Sequence, residues 1–161
     1  AAINPNVYET AFKGNPMLVI ACHNIWECRS FGLSQARIIA ANWSKIEACA
    51  ANGTAFEIQT KFTNYVWQAD TCAVYVKYKA DINNFIEYYK NKPAYTEQAA
   101  HLSRRIRYAA SSEKLSISAC FIRANKNKFT ESDLVNLRRE YNARLAFIST
   151  ESVNQTTNQH V

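Results

Sequence analysis

The stretch Pro93-Ala94-Tyr95-Thr96-Glu97-Gln98-Ala99-Ala100-His101-Leu102-Ser103-Arg104-Arg105-Ile106-Arg107 decides how the chain is read. Pro93 and Thr96 announce a long helix, and Glu97 sits in its first turn, where the helix dipole favours a negative charge. The later part, Leu115 to Phe121, alternates like a strand and leaves the end of that helix open. Arg104 and Arg107 share a helix face at i, i+3, while Arg105 points roughly 100° away, so the triplet can grip a phosphate backbone from two directions. Arg suits phosphate because its planar fork offers several donors and keeps its charge.

Toward the N-terminus, residues 1–15 read as a polar lead-in with Pro5 and Gly14. The apolar run from Pro16 to Phe31 reads as a helix ended by Gly32. Ser34 caps a second helix whose Ile38, Ile39, Trp43, Ile46 and Cys49 recur at helical spacing, and Asn52-Gly53 closes it. Phe56 to Phe62 is rich in β-branched and aromatic residues and reads as a short strand, followed by a helix from Asn64 to Lys79. Toward the C-terminus, Thr130-Glu131-Ser132-Asp133 resembles a capping box, after which Leu134, Leu137, Tyr141, Leu145 and Ile148 line one helical face. This gives one domain over residues 1–148 and a polar, mobile tail over 149–161.

The composition agrees with that outline. At 161 residues the chain can bury a sizeable core, and three Gly and three Pro exclude collagen-like or turn-dense classes and favour long helices. The formal charge is +6, and it is local. Residues 101–128 hold seven basic side chains against Glu113 alone, whereas residues 1–100 hold nine basic and eight acidic ones and residues 129–161 hold three and four. Such a patch suits a polyanion partner, and equally a solvated basic face.

Other classes find little support. No run of 18 apolar residues exists, so no membrane-spanning helix is expected, and the first residues carry no visible address. Five Cys (Cys22, Cys28, Cys49, Cys72 and Cys120) lack metal-ligand spacing and read as reduced core residues. Sequons at Asn42, Asn52 and Asn154 matter only in a secreted protein. No nucleophile elbow, phosphate-cradling glycine loop or metalloprotease motif is present. His23 reads as a core or interface histidine, His101 as an exposed one beside the basic helix, and His160 as tail. Trp26, Trp43, Trp67 and the nine Tyr read as core or subunit interface rather than as base-stacking platforms.

The ordered motifs resemble the coat proteins of rod-shaped plant viruses of the tobacco mosaic virus type. Asn15-Pro16, an aliphatic Cys-containing segment, Phe31, Gln35-Ala36-Arg37 and Trp43-Ser44 are similar to that family's Asp-Pro to Gln-Ala-Arg region. Phe85-Ile86-Glu87, Pro93, Thr96 and Arg104-Arg105-Ile106 look like its stretch from Ile-Ile-Glu through Asn-Pro-Thr-Thr to Arg-Arg-Val. The likeness covers roughly residues 15–125.

The resemblance implies an all-α fold, a four-helix bundle with a small sheet, here with an additional C-terminal helix. It implies a structural coat protein without enzymatic activity, found in the virion and in host cytoplasm during assembly. Copies stack in a helical homopolymer and clamp single-stranded genomic RNA largely without reading its sequence. Arg37 and Arg104-Arg105-Ile106 fall on family segments that meet RNA. Family arginines ahead of Ile-Ile-Glu are replaced by Ile82 and Asn84, with Lys77 and Lys79 nearby as substitutes, and the family's Asp-Asp pair reads Arg107-Tyr108. The RNA-contact candidates are thus Arg37, Lys77, Lys79, Asn84, Arg104, Arg105, Ile106 and Arg107. Glu87 matches one of the family's repelling inter-subunit carboxylates. Its partner position is Gln98, beside Glu97, so Glu87 and Glu97 are the candidates for a calcium- or proton-sensitive contact, with no other cofactor implied. The alternative is a monomeric or small-oligomer helical nucleic-acid-binding subunit. A secreted disulfide-bonded protein and an enzyme with an unrecognised site are the remaining readings.

Overall fold

The structure is a computed structural model that describes residues 4–20 and 28–159, with side chains described as far as Glu151. Cys22, His23, Trp26 and His160 lie outside the described residues. The chain groups into two compact units, one formed by Ala11–Asn91 and the other by Ala1–Thr10 together with Lys92–Val161. The division falls inside the first strand, where the sequence shows no change of composition. The second boundary coincides with Asn91-Lys92-Pro93, between two helices.

β1 (Val7–Phe12), β2 (Asn15–Ile20) and β3 (Arg29–Gly32) make a three-stranded sheet in the order β1-β2-β3. Lys13 and Gly14, at φ 50° and 81°, form the two-residue turn between β1 and β2, with both positions left-handed as a tight hairpin requires. β2 and β3 run antiparallel with Leu18 opposite Phe31 and Ile20 opposite Arg29. The helix expected from Pro16 to Phe31 is therefore corrected to strand over its described residues. Leu18 and Ile20 are fully buried while Val19 between them is not, a period of two rather than 3.6. A short apolar run fits either element by itself, and pairing with Phe31 decides it.

α1 (Leu33–Ala41) and α2 (Trp43–Asn52) follow, separated at Asn42, whose side-chain amide donates to the Ile38 carbonyl at 2.7 Å. Gly53 ends α2 at φ 72°, the left-handed closure expected of Asn52-Gly53. β4 (Phe56–Gln59) takes the first four residues of the strand expected from Phe56 to Phe62, whose remainder is a turn, and it pairs antiparallel with β5 (Asn64–Trp67). β5 takes the start of the helix expected from Asn64, which begins only as α3 (Ala69–Lys77), before α4 (Lys79–Lys90). α1 packs on α4 and α2 on α3.

Tyr75 centres this unit, with Phe31 and Trp67 edge-on at 5.6 and 5.3 Å and Phe56 stacked on Trp67 at 5.6 Å. Burial pushes the Tyr75 hydroxyl above its ordinary pKa although Gln35 donates to it at 3.2 Å. Burial likewise raises the Cys72 thiol, which lies 3.6 Å from the Trp67 carbonyl. Cys28, Cys49, Cys72 and Cys120 are free thiols, but only Cys72 is buried, which narrows the core-cysteine reading to that residue among those described.

The other unit consists of α5 (Glu97–Arg107), α6 (Ser112–Ala124), a single 3-10 turn at Lys126–Lys128 and α7 (Glu131–Gln159). Leu102, Ile106, Leu115, Phe129, Leu137 and Ile148 form its core. Thr96 caps α5 by accepting from the Ala99 N–H at 3.4 Å. The helix is broken after Arg107. Ser111 caps α6 by accepting from the Lys114 N–H at 3.2 Å, and the Ala109 carbonyl accepts from Arg144 Nε at 2.9 Å. Leu115 to Phe121 is helical, with Leu115 and Ser118 buried one turn apart. The expected box at α7 is present, since Thr130 Oγ1 accepts from the Asp133 N–H at 3.0 Å and Asp133 Oδ2 from the Thr130 N–H at 3.1 Å. α7 continues beyond residue 148 to Gln159, through most of the segment expected to be a mobile tail.

The described residues thus contain seven α-helices and five strands in two small antiparallel sheets. This mixed α/β architecture overturns the expected all-α four-helix bundle. The sequence hides the difference because its strands are four to six residues long, too short to show a clear period against helical neighbours.

Candidate nucleic-acid interface

The long basic segment is folded onto the end of the chain that precedes it. In β1, Val7 and Glu9 are buried while Tyr8 and Thr10 are exposed, so strand alternation sends a carboxylate inward. A buried carboxylate requires a cation, and Arg107 supplies it. Its two terminal nitrogens reach Glu9 Oε1 at 2.8 Å and Oε2 at 3.2 Å, with side chains 14% and 0% exposed. Arg107 Nε donates to Ser103 Oγ at 3.0 Å and lies 3.8 Å from Glu140 Oε2. Glu140 in turn accepts from Ser103 Oγ at 2.6 Å and from the Tyr95 hydroxyl at 2.7 Å. This network ties β1, α5 and α7 into one block.

What remains outward is a groove of about 480 Å³ in the same unit, between β1, α5 and α6. His101, Arg104 and Arg105 line it from α5, and Lys114 and Ile117 from α6, with Tyr8 and Tyr108 contributing rings. Arg104 and Arg105 lie in the last turn of α5, where the helix dipole welcomes cations without an acidic partner. Neither they nor Lys114 makes an ion pair among the described residues. Such a groove can place backbone phosphates on fixed cations and present aromatic and aliphatic faces to bases.

The expected contact residues separate sharply. Arg104 and Arg105 line the groove, Ile106 after them is fully buried, and Arg107 is engaged inside. The helical spacing that aligned Arg104 with Arg107 therefore does not make them a pair at the surface. Arg37 on α1, Lys77 on α3 and Asn84 on α4 are exposed in the other unit. Lys77 leans over the Tyr78 ring at 5.6 Å. Lys79 is held 2.7 Å from Glu47 Oε1 and 5.4 Å from the Trp43 ring centre. Trp43 itself is half-buried, its indole N–H donating to Asn83 at 3.0 Å. Glu87 pairs with Lys90 at 3.2 Å, and Glu97 is exposed in the first turn of α5. Among the described residues no three His, Cys, Asp or Glu side chains group as a metal site.

Sequence reading missed Tyr8, Glu9 and Glu140. The alternation of Val7 to Thr10 could have flagged Glu9 as an inward carboxylate, but nothing in the sequence pointed to Arg107, 98 residues away, as its partner. Comparison with models of protein families, with curated proteins and with solved structures finds no match.

Proposed function

We propose that the protein is a structural, non-enzymatic subunit that self-assembles into a helical homopolymer and packages single-stranded RNA, largely independently of RNA sequence, as the coat of a virion. The observation that carries the RNA part is the groove in which Arg104, Arg105 and Lys114 make no ion pair among the described residues, beside Tyr8, Tyr108 and His101, its one lining carboxylate, Glu9, being held by Arg107. Cations without partners attract phosphates through released counterions, and rings accept any base because every base has a stacking face.

Self-association is supported by the order and spacing of the coat-like motifs and by large apolar side chains held in solvent. Phe62 is the extreme, 89% exposed. It projects from a fixed turn, since Thr60 Oγ1 accepts from the N–H groups of Phe62 and Thr63 at 3.3 and 3.0 Å and donates to the Thr63 carbonyl at 2.8 Å. A rigid exposed aromatic costs little conformational entropy when a second copy covers it. Of the two candidate carboxylates, Glu87 pairs with Lys90, and Glu97, which makes no ion pair among the described residues, is left for a proton- or calcium-sensitive contact between copies.

Negative-stain electron microscopy of the purified protein, with and without single-stranded RNA over a pH and salt series, tests the proposal. Rods or stacked discs whose length follows RNA length are expected. Dispersed small particles under every condition, with RNA still bound, would instead assign a small-oligomer nucleic-acid-binding subunit.

A further inference from the structure

α6 carries a second cationic groove, on a different face from the first. Lys114 and Ile117 point into the groove beside α5, whereas Ile122 and Arg123 point roughly 140° away around the helix, toward α7. There Arg123 and Lys126 meet Arg138 of α7 around a space of about 390 Å³ whose walls are Ile122, Leu134 and Tyr141. All of these residues belong to one compact unit. The apolar walls pack against the core of that unit, so the groove has a fixed floor.

Its electrostatics are one-sided. No acidic side chain lines it, and none of its three cations makes an ion pair among the described residues. Among the described residues, Arg123 donates to the Ala119 carbonyl of its own helix, at 3.4 Å. Three like charges around one cavity repel each other, and a purely structural arrangement gains nothing from that. A polyanion threaded among them relieves the repulsion. The half-buried Tyr141 ring and the Ile122 and Leu134 side chains supply the apolar surface that phosphates leave unused.

We infer that this groove is a second seat for single-stranded nucleic acid, with Arg123, Lys126 and Arg138 on backbone phosphates and an unpaired base against Tyr141, Ile122 and Leu134. The inference rests on the proposed RNA binding and deepens it. One subunit then holds the strand at two places, on two faces of α6. The number of phosphates neutralised per subunit exceeds what the Arg104–Arg105 groove provides.

The test is fluorescence anisotropy of a labelled short oligouridylate against the full chain across a salt series. The wild type is compared with the double variants Arg123→Ala/Arg138→Ala and Arg104→Ala/Arg105→Ala. Each lost phosphate contact lowers the salt slope by about 0.7, so each double variant is expected to lose about 1.4, with unchanged circular dichroism and melting. An abasic strand of equal length and charge loses base contacts in both grooves and is expected to bind the wild type more weakly by at least about 5-fold, the lower end for a single lost base stack. Tyr141→Phe, which keeps the ring, is expected to bind like the wild type.

A full slope in Arg123→Ala/Arg138→Ala, with a lowered one in Arg104→Ala/Arg105→Ala, overturns the second seat and leaves the RNA reading standing. Equal binding of the abasic strand overturns the base contact. A full slope together with impaired self-association in Arg123→Ala/Arg138→Ala assigns the groove to a neighbouring copy. Absence of any RNA binding by the wild type overturns both readings.

Discussion

Thr96 and Asp133, 37 residues apart, are joined by two hydrogen bonds. The Thr96 N–H donates to Asp133 Oδ1 at 3.2 Å and the Thr96 hydroxyl to Oδ2 at 2.7 Å. The same carboxylate closes the capping box of α7, so one buried side chain fixes the starts of both α5 and α7.

That position gives the protein an acid-sensitive lock. Burial alone pushes the Asp133 carboxyl up, but the hydrogen bonds from Thr96 and Thr130 outweigh it and hold the group below its ordinary value of 3.8. Its contribution is fully present above the unfolded value and is lost as pH falls through the lower folded value. Denaturant midpoints measured from about pH 6 to pH 2 are expected to fall below about pH 4 in the wild type. Asp133→Asn is expected to be less stable near neutrality by about 1 kcal/mol and to show a flatter acid limb. Superimposable acid limbs would remove Asp133 from the lock.

Arg104 and Arg105 stand in the groove, so replacing both with Ala is expected to leave the melting temperature within a few degrees of wild type while weakening RNA incorporation into particles. RNA content per particle, read from the absorbance ratio, checks this. An unchanged ratio would contradict the role assigned to them.

Glu9 is expected to behave in the opposite way. Glu9→Ala leaves the Arg107 guanidinium inside without its main partner, and breaking a buried pair costs about 3 to 5 kcal/mol. Chemical denaturation should show a loss on that scale, whereas a loss under about 1 kcal/mol would mean that water replaces the carboxylate at little cost.

Phe62 separates folding from assembly. Because the ring is almost wholly exposed, Phe62→Ser is expected to change monomer stability by less than about 0.5 kcal/mol. Sedimentation velocity should show a raised concentration threshold for self-association. An unaltered threshold would place Phe62 outside every contact between copies.

Sequence reading succeeded where a local rule has a single outcome. Thr130 to Asp133 forms the capping box it resembles, Gly53 closes α2, and the strand at Phe56 is present, because each depends on a few adjacent residues. It failed at Pro16–Ile20, where a five-residue apolar run fits helix or strand and a distant Phe31 decides, and at Tyr108–Ser111, where the helix breaks without Gly or Pro. The local charge excess pointed to Arg104 and Arg105, and both line the groove. The division into groove-lining and engaged cations was not legible, because Arg107 is claimed by a carboxylate at the far end of the chain.

The pairing of Glu9 with Arg107 also sets an order of events during synthesis. The unit holding them is discontinuous in sequence, and Ala11–Asn91 is translated in full between its two parts. That intervening segment closes shorter loops, such as the 42 residues between Arg29 and Thr71, and can acquire its core before Arg107 is made. Glu9 emerges before it, and although β1 can join β2 at once, the Glu9 carboxylate must wait for Arg107, which in turn lies beside Glu140 of α7. Closing a loop of 98 residues costs roughly 0.6 kcal/mol for every doubling over a short one. A pause in translation after Asn91 would thus leave β1 beside β2 in its sheet but the Glu9 carboxylate without its cation.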